Sequence, residues 1–284
     1  MTYIIAEIGI NHNGELEVAK KLIDVAAVAG CNVVKFQKRD PDTCVPEEQK
    51  PLLRDTPWGR IPYIEYKHKI EFSKQEYDEI DSHCKSRGIK WTASPWDLES
   101  LEFLMEYDIP FIKIASPLLT HSELLEAAVA TGKRIIMSTG MSTMEEIRKA
   151  VATIRTFGQT DFGRANNNFA LLHCNSEYPA PPDQLNLSAI KTLKEEFNCE
   201  VGYSGHEWVL GTTIATIYLG ATVIERHITL DRKMWGTDQE ASVEPRGLID
   251  LVNRCRELES AYGDGIIKVT EGERKAKKKL RIVL

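Results

Sequence analysis

Short runs of aliphatic and β-branched residues alternate with stretches of helical period along the whole chain. Read as strands, the runs are Tyr3–Ile10, Asn32–Gln37, Lys90–Ser94, Phe111–Ser116, Arg134–Thr139, Asn168–Asn175, Glu200–Ser204 and Thr222–Thr229. After each strand, apolar residues recur three and four apart; Leu16, Ala19, Leu22, Ile23 and Ala26 line one helix face after the first. Gly30 and Gly132 close two helices, and Ser142 with Glu145 reads as a capping box. Eight strand–helix repeats predict a parallel sheet, because each helix carries the chain back to start the next strand in the same direction. Eight is also the number that closes, so the expected fold is α/β, a single-domain (β/α)8 TIM barrel. A doubly wound sheet would announce itself by a G-x-G-x-x-G turn after the first strand, and Gly9-Ile10-Asn11-His12-Asn13-Gly14 is not one.

Two connections are longer than linking requires. Lys38 to Ser73 is rich in proline and charge, and Leu230 to Glu244 carries Met234-Trp235-Gly236-Thr237-Asp238-Gln239. Both leave the C-terminal ends of strands, where this fold keeps its chemistry, so both are expected as lids over a site. The barrel is expected to span residues 1–262. Residues 263–284 read as a basic helix-like tail with an apolar tip, Ile282-Val283-Leu284, and no second domain follows.

The 284 residues suit this fold, for which about 250 is typical. A net charge of −6 argues against nucleic acid or an anionic membrane surface as the main partner, but leaves room for a cationic pocket that takes a small anion. Six cysteines lack any C-x-x-C spacing and read as reduced thiols, which places the protein in the cytoplasm. Met1-Thr2-Tyr3-Ile4-Ile5-Ala6-Glu7 has no basic start of a signal peptide, and no apolar run approaches the roughly 18 residues of a membrane span.

Polar residues interrupt strands that should be apolar on both faces. Glu7 lies in the first strand, Lys35 and Gln37 in the second, Lys113 in the fourth, and Glu225 and His227 in the eighth. Ser116, Asn175, Ser176, Tyr178, Ser204 and His206 follow at strand ends, and His12 and His173 are weaker candidates. Internal ion pairs, Glu7 with Lys35 or Glu225 with Lys113, would account for single residues. The whole set converges on one rim, which favours a site. Two lysines with hydroxyls suit a phosphate or carboxylate. Two histidines on neighbouring strands can ligate a divalent ion while leaving positions open, the pattern of a catalytic metal.

These residues resemble the sialic acid synthases. The motifs that carry the resemblance are Glu7-Ile8-Gly9-Ile10-Asn11-His12-Asn13-Gly14, Val34-Lys35-Phe36-Gln37, Ile112-Lys113-Ile114-Ala115-Ser116, Leu172-His173-Cys174, Tyr178-Pro179, Gly202-Tyr203-Ser204-Gly205-His206 and Ile224-Glu225-Arg226-His227. The resemblance implies a condensation of phosphoenolpyruvate with an amino-sugar aldehyde. It implies that His206 and His227 bind Mn²⁺, or else Mg²⁺ or Co²⁺, and that Lys35, Lys113, Ser94, Ser116 and Ser204 hold the carboxylate and phosphate. Tyr178 would approach phosphate or sugar, Asp238 would contact sugar hydroxyls, and Glu7 would direct the water that attacks C2. The family's phosphate-binding Asn falls at Ser176, or one place early at Asn175. Family members also pair as homodimers, and many carry an antifreeze-like domain whose Arg reaches a partner's sugar site. No such domain is expected after Leu284, and that expectation leaves the acceptor open among N-acetylmannosamine, its 6-phosphate, mannose 6-phosphate and a bacillosamine-type sugar. Rival readings are a Schiff-base aldolase with Lys113 as nucleophile, a related barrel acting on a pentose phosphate, and a sugar-binding barrel without turnover.

Overall fold

In the computed structural model, which describes residues 1–158 and 168–281, the strands are β1 (Tyr3–Gly9), β2 (Val33–Lys38), β3 (Leu53–Thr56), β4 (Gly59–Pro62), β5 (Lys90–Pro95), β6 (Ile112–Ile114), β7 (Ile135–Ser138), β8 (Phe169–Cys174), β9 (Glu200–Gly205) and β10 (Val223–His227). The helices are α1 (Leu16–Ala29), α2 (Pro41–Cys44), α3 (Tyr63–Ile70), α4 (Lys74–Arg87), α5 (Leu98–Leu104), α6 (Ser122–Ala130), α7 (Met144–Phe157), α8 (Ala189–Phe197), α9 (Leu210–Tyr218), α10 (Pro245–Tyr262) and α11 (Glu271–Leu280). Eight strands form one parallel sheet in the order β5-β2-β1-β10-β9-β8-β7-β6. Its two ends, β5 and β6, meet where Thr92 Oγ1 donates to the Phe111 carbonyl at 2.8 Å. The eight predicted strands are all present, as a (β/α)8 barrel.

Alternation along each strand sorts its residues into two environments. Ile4, Ala6 and Ile8 of β1 face outward and pack with Ala19, Leu22, Ile23 and Ala26 of α1. On the inward face, Ile5, Val33, Phe111, Ile136, Ala170, Leu172 and Val223 form an apolar layer across the barrel. Each such side chain buried contributes about 1.5–3 kcal/mol. Two residues further along the strands, the inward positions become polar: Glu7, Lys35, Lys113, Ser138, Ser204 and Glu225. The barrel is therefore dry at one end and charged at the other. Gly202 lets β9 close on β10, because a Cβ there would lie 2.3 Å from the Val223 carbonyl oxygen.

Local signals agree with the sequence, with one shift. Gly30 caps α1 in the left-handed region, and Gly132 (φ +72°) follows α6. The capping box of α7 is formed by Thr143 and Glu146, one residue beyond the predicted Ser142 and Glu145. Ser142 instead donates to the Gly140 carbonyl.

The connection from β2 to α4 holds α2, the antiparallel β3–β4 hairpin and α3. It docks on the connection after β10, where Trp235 packs edge-on against Tyr66 at 5.3 Å; from the β1–α1 turn, Asn13 Nδ2 donates to the Trp235 carbonyl. The two expected lids thus share a hydrophobic cluster, which includes Ile10 and Ile70. Helix α11 has no buried residue, and the predicted apolar tip Ile282-Val283-Leu284 lies outside the described residues.

Candidate active site

A cavity of about 340 Å³ opens at the C-terminal ends of the strands. Its walls include Glu7, Lys35, Ser94, Lys113, Ser116, Ser176, Tyr178, Ser204, His206, Glu225, His227 and Asp238. Of the site residues expected from sequence, the structure separates one. The Asn175 side chain turns away and donates to the Gln184 carbonyl, while its own carbonyl accepts from His206 Nδ1 at 2.6 Å. A one-residue step past β8 decides this, so Ser176 lines the cavity and Asn175 supports it from behind.

At the floor, register brings the charges together: Glu7 pairs across the sheet with Lys35 on one side and His227 on the other. Lys35 Nζ lies 2.7 Å from Glu7 and 3.8 Å from Glu225, and it donates to Ser94 Oγ at 3.1 Å. Lys113 Nζ lies 3.7 Å from Glu225 and donates to Ser138 Oγ at 2.6 Å and to the Ile114 carbonyl. Ser204 Oγ donates to Glu225 at 3.1 Å. The internal ion pairs that competed with a site in the sequence reading are therefore present, and they form its floor.

Burial pushes Glu7 up to about 7 despite Lys35, with Glu225 adding repulsion. Burial opposes charge on Glu225 too, but Lys113, Lys35 and His227 outweigh it and hold that carboxyl below its usual range. Burial pushes both lysines down; it prevails at Lys113, whereas at Lys35 the Glu225 and Glu7 carboxylates together outweigh it and hold that lysine above its ordinary value. Two like carboxyls in one pocket are thus driven apart by their neighbours.

His206 and His227 stand with ring centroids 5.4 Å apart, and Tyr178 stacks on His206 at 3.9 Å and meets His227 edge-on at 5.6 Å. The bond from His206 Nδ1 to the Asn175 carbonyl fixes a proton there and leaves Nε2 as a lone-pair donor, the arrangement of a metal-ligating imidazole. Burial holds His206 down to about 3, so the ring stays neutral. His227 Nδ1 and Glu225 Oε2 are buried without a hydrogen-bond partner, with Asp238 3.8 Å from His227. No group of three or more His, Cys, Asp or Glu side chains is spaced to hold an ion among the described residues. The residues fit a metal held by two histidines, with the rest of its shell left to substrate and water.

The cavity also takes Gln37, Arg39, Trp96 and Lys67, and Ser138, Met141 and Thr237. Gln37 was visible in sequence as the residue two beyond Lys35. Arg39 and Lys67 sit in the long β2–α4 connection, where no periodicity says which way a side chain points. At the phosphate-suited end, Gly140 N donates to Ser116 Oγ, and a Cβ on Gly140 would lie 2.2 Å from Ser176 Oγ. The other histidines are elsewhere: His12 stacks on Phe72 at 4.1 Å, and His173 bonds the Leu185 carbonyl.

Known proteins share this barrel. The chain is 38% identical over 276 residues to the N,N'-diacetyllegionaminic acid synthase of Campylobacter jejuni, covering 96% of this chain and 81% of that one. It is 41% identical over 249 residues to the N-acetylneuraminate-9-phosphate synthase of Drosophila melanogaster, covering 87% of this chain and 65% of the relative's length. The crystal structure of an N-acetylneuraminic acid synthetase from Leptospira borgpetersenii, in complex with citrate, superposes with a TM-score of 0.84 at 32% identity, covering 98% of this chain and 90% of that one. Residues 22–267, which hold seven of the eight barrel strands, match the NeuB family. With the barrel, the charged floor and the paired histidines in the same chain, the resemblance read from its motifs is one of descent: the chain belongs to the NeuB family.

Proposed function

We infer that this enzyme condenses phosphoenolpyruvate with the open-chain aldehyde of a mannosamine- or mannose-type sugar, giving a nonulosonic, sialic-type acid and inorganic phosphate. The observation that carries this reading is the meeting of two buried lysine–carboxylate pairs and two histidines in one cavity at the strand ends.

Lys35 and Lys113, with Ser94, Ser116, Ser176 and Ser204 around them, are the groups to hold the carboxylate and phosphate of phosphoenolpyruvate. Holding both ends fixes C3 against the aldehyde, which converts an encounter into an oriented pair. C3 attacks the aldehyde carbon, and positive charge develops at C2 where Glu7 lies at hand to stabilise it. Glu7 takes a proton from the water that adds at C2. The former aldehyde oxygen, left as an alkoxide, takes up the proton that Glu7 held; the C2 hydroxyl of the hemiketal phosphate then gives its proton to the leaving phosphate as the C–O bond breaks to the ketone, with Lys113 against the departing group. Tyr178 and Asp238 face the sugar, and Glu225 holds both lysines in place. Mn²⁺, or Mg²⁺ or Co²⁺, bound at His206 and His227 would supply a Lewis acid for the aldehyde oxygen.

Lys113 is poorly placed as a Schiff-base nucleophile, since it donates to Ser138 and Ile114 and faces Glu225. In this reading residues 1–262 are the catalytic barrel and 263–284 an appended tail. Six free cysteines support a reducing, cytoplasmic setting. Among the described residues, no helix is long and apolar enough to cross a membrane. A homodimer completes the reading: Trp208, Tyr218 and Tyr262 stand exposed around α9 and α10, and sedimentation tests it.

Purified protein with Mn²⁺, phosphoenolpyruvate and a panel of mannose derivatives should release phosphate with at least one acceptor. Silence across the panel, with metal shown bound, overturns catalysis. Trapping of Lys113 by borohydride with a keto acid would instead establish the aldolase.

A further inference from the structure

The barrel buries five lysine and arginine side chains among the described residues: Lys35, Arg39, Lys67, Lys113 and Arg226. Four have a carboxylate partner: Lys35 has Glu7, Arg39 has Glu71, Lys113 has Glu225 and Arg226 has Glu207. Lys67 has none. It is 8% exposed and, among the described residues, makes neither a hydrogen bond nor an ion pair within 4.0 Å. What it has is aromatic: its ammonium lies over the rings of Tyr63 and Tyr66, at 5.1 and 5.3 Å from their centroids.

Two rings cannot replace a carboxylate. A cation–π contact contributes less than withdrawing an ammonium from water costs. The charge beside it adds to the cost, for burial and then the Arg39 guanidinium hold Lys67 down to about 7. The nearest acids are committed elsewhere. Glu71 takes Arg39 Nε at 2.9 Å and accepts from the Arg39 backbone N–H, with Lys38 at 3.8 Å, and Asp238 is turned to His227. Lys67 nonetheless lines the cavity, with Arg39, Gln37, Trp96 and Asp238. Arg39 is steadied there by stacking over Trp96 at 4.7 Å.

The cavity therefore has two cationic ends. Lys35 and Lys113 at the floor feel each other and the two glutamates, whereas Lys67 feels Arg39 and Glu71, with Asp238 acting on both Lys35 and Lys67. The floor charges are balanced before any ligand enters. The rim is not. An anion that reaches the rim gains a largely buried ammonium that no carboxylate holds, with a guanidinium beside it, a charge-assisted hydrogen-bonding partner.

We propose that Lys67, with Arg39 beside it, receives a phosphate carried by the sugar acceptor at the end remote from its aldehyde. The inference rests on the condensation described above, which fixes the aldehyde near Glu7 and the histidines and so sends the far end of the sugar towards the rim. A phosphate is favoured over a carboxylate because its three terminal oxygens can accept from the Lys67 ammonium and the Arg39 guanidinium at once.

The test compares N-acetylmannosamine 6-phosphate with N-acetylmannosamine. Lys67→Met keeps the apolar stem over Tyr63 and Tyr66 while removing the charge, and Lys67→Arg keeps the charge. The wild type should prefer the phosphorylated acceptor. Lys67→Met should shift the ratio of kcat/KM values by about tenfold or more towards the unphosphorylated one, mainly through KM, and Lys67→Arg should restore most of the preference. Equal changes on both acceptors, or no wild-type preference, would show that Lys67 only braces the lid, and the inference falls. If neither acceptor turns over, it is the condensation that fails. Calorimetric titration with the sugar phosphate still decides the anion site: binding lost in Lys67→Met sustains it, and equal binding in both proteins overturns it.

Discussion

The Lys35 ammonium stands 2.7 Å from the Glu7 carboxylate, from adjacent strands and with both side chains no more than 3% exposed. A pair buried this deeply is weak evidence for stability on its own, because desolvation offsets most of the attraction. Its value here is placement: burial raises the Glu7 carboxyl to about 7 while Lys35 steers it, which suits the proton transfer proposed for it.

Glu7→Gln keeps the shape and removes the carboxylate. We expect kcat to fall by about 10²–10⁴, with the KM values for both substrates little changed and thermal unfolding still cooperative. A variant that keeps more than half of wild-type kcat would remove Glu7 from the chemistry.

Gly140 and Gly202 offer a paired test of where glycine matters. A Cβ on Gly140 meets side-chain oxygens, those of Ser176 at 2.2 Å and Ser116 at 2.8 Å, which can turn aside. Gly140→Ala should fold, yet raise KM for phosphoenolpyruvate by about tenfold as those hydroxyls leave the anion, worth about one charge-assisted hydrogen bond. Gly202→Ala meets backbone, the Val223 carbonyl at 2.3 Å, and should instead lower the melting temperature. Equal losses of stability in the two variants would contradict this division.

The histidine pair is testable without turnover. Mn²⁺ titration followed by electron paramagnetic resonance should show one site, weakened at least tenfold by either His206→Ala or His227→Ala. Asn175 contributes only its backbone carbonyl to His206, so Asn175→Ala should bind metal like the wild type. Full affinity in both histidine variants would move the metal elsewhere.

His12 sets an acid limit on the fold. Burial, with Arg39 adding repulsion, holds its pKa down to about 3 from 6.5. The unfolded chain therefore binds a proton that the folded chain refuses between those values. Its contribution to stability is complete above about pH 6.5 and is lost as pH falls towards 3, by about 1.4 kcal/mol per unit. Denaturant titrations from pH 7 to 4 should show a shallower acid limb for His12→Leu, which cannot charge. An unchanged slope would assign the acid sensitivity to other groups.

The barrel and most of its site were legible in the sequence for one physical reason. Strands buried on both faces should be apolar, so Glu7, Lys35, Lys113 and Glu225 stand out as exceptions, and period two then places each on the inner face. The reading weakened wherever periodicity ended. Past β8, nothing in Asn175-Ser176 says which side chain turns inward, and the backbone chose Ser176. Before α7, Ser142 and Thr143 each precede a glutamate by three residues, so the box could start at either, and Ser142 was taken by Gly140. Arg39 and Lys67 were illegible for the same reason. Their connection is ordered by packing of Tyr66 and Ile70 with Ile10 and Trp235, a contact between distant segments that no local pattern encodes.

The Thr92–Phe111 bond gives the barrel a seam. Strand β6 is three residues long, laddered to β7 on one side and tied to β5 on the other by that side chain. Lys113 stands on one side of the seam and Ser94 on the other, so an anion gripped by both acts as a staple across it. Amide exchange should therefore be fastest along β6 among the barrel strands and slow most there when phosphoenolpyruvate binds, so that closing the barrel and filling its floor become a single event.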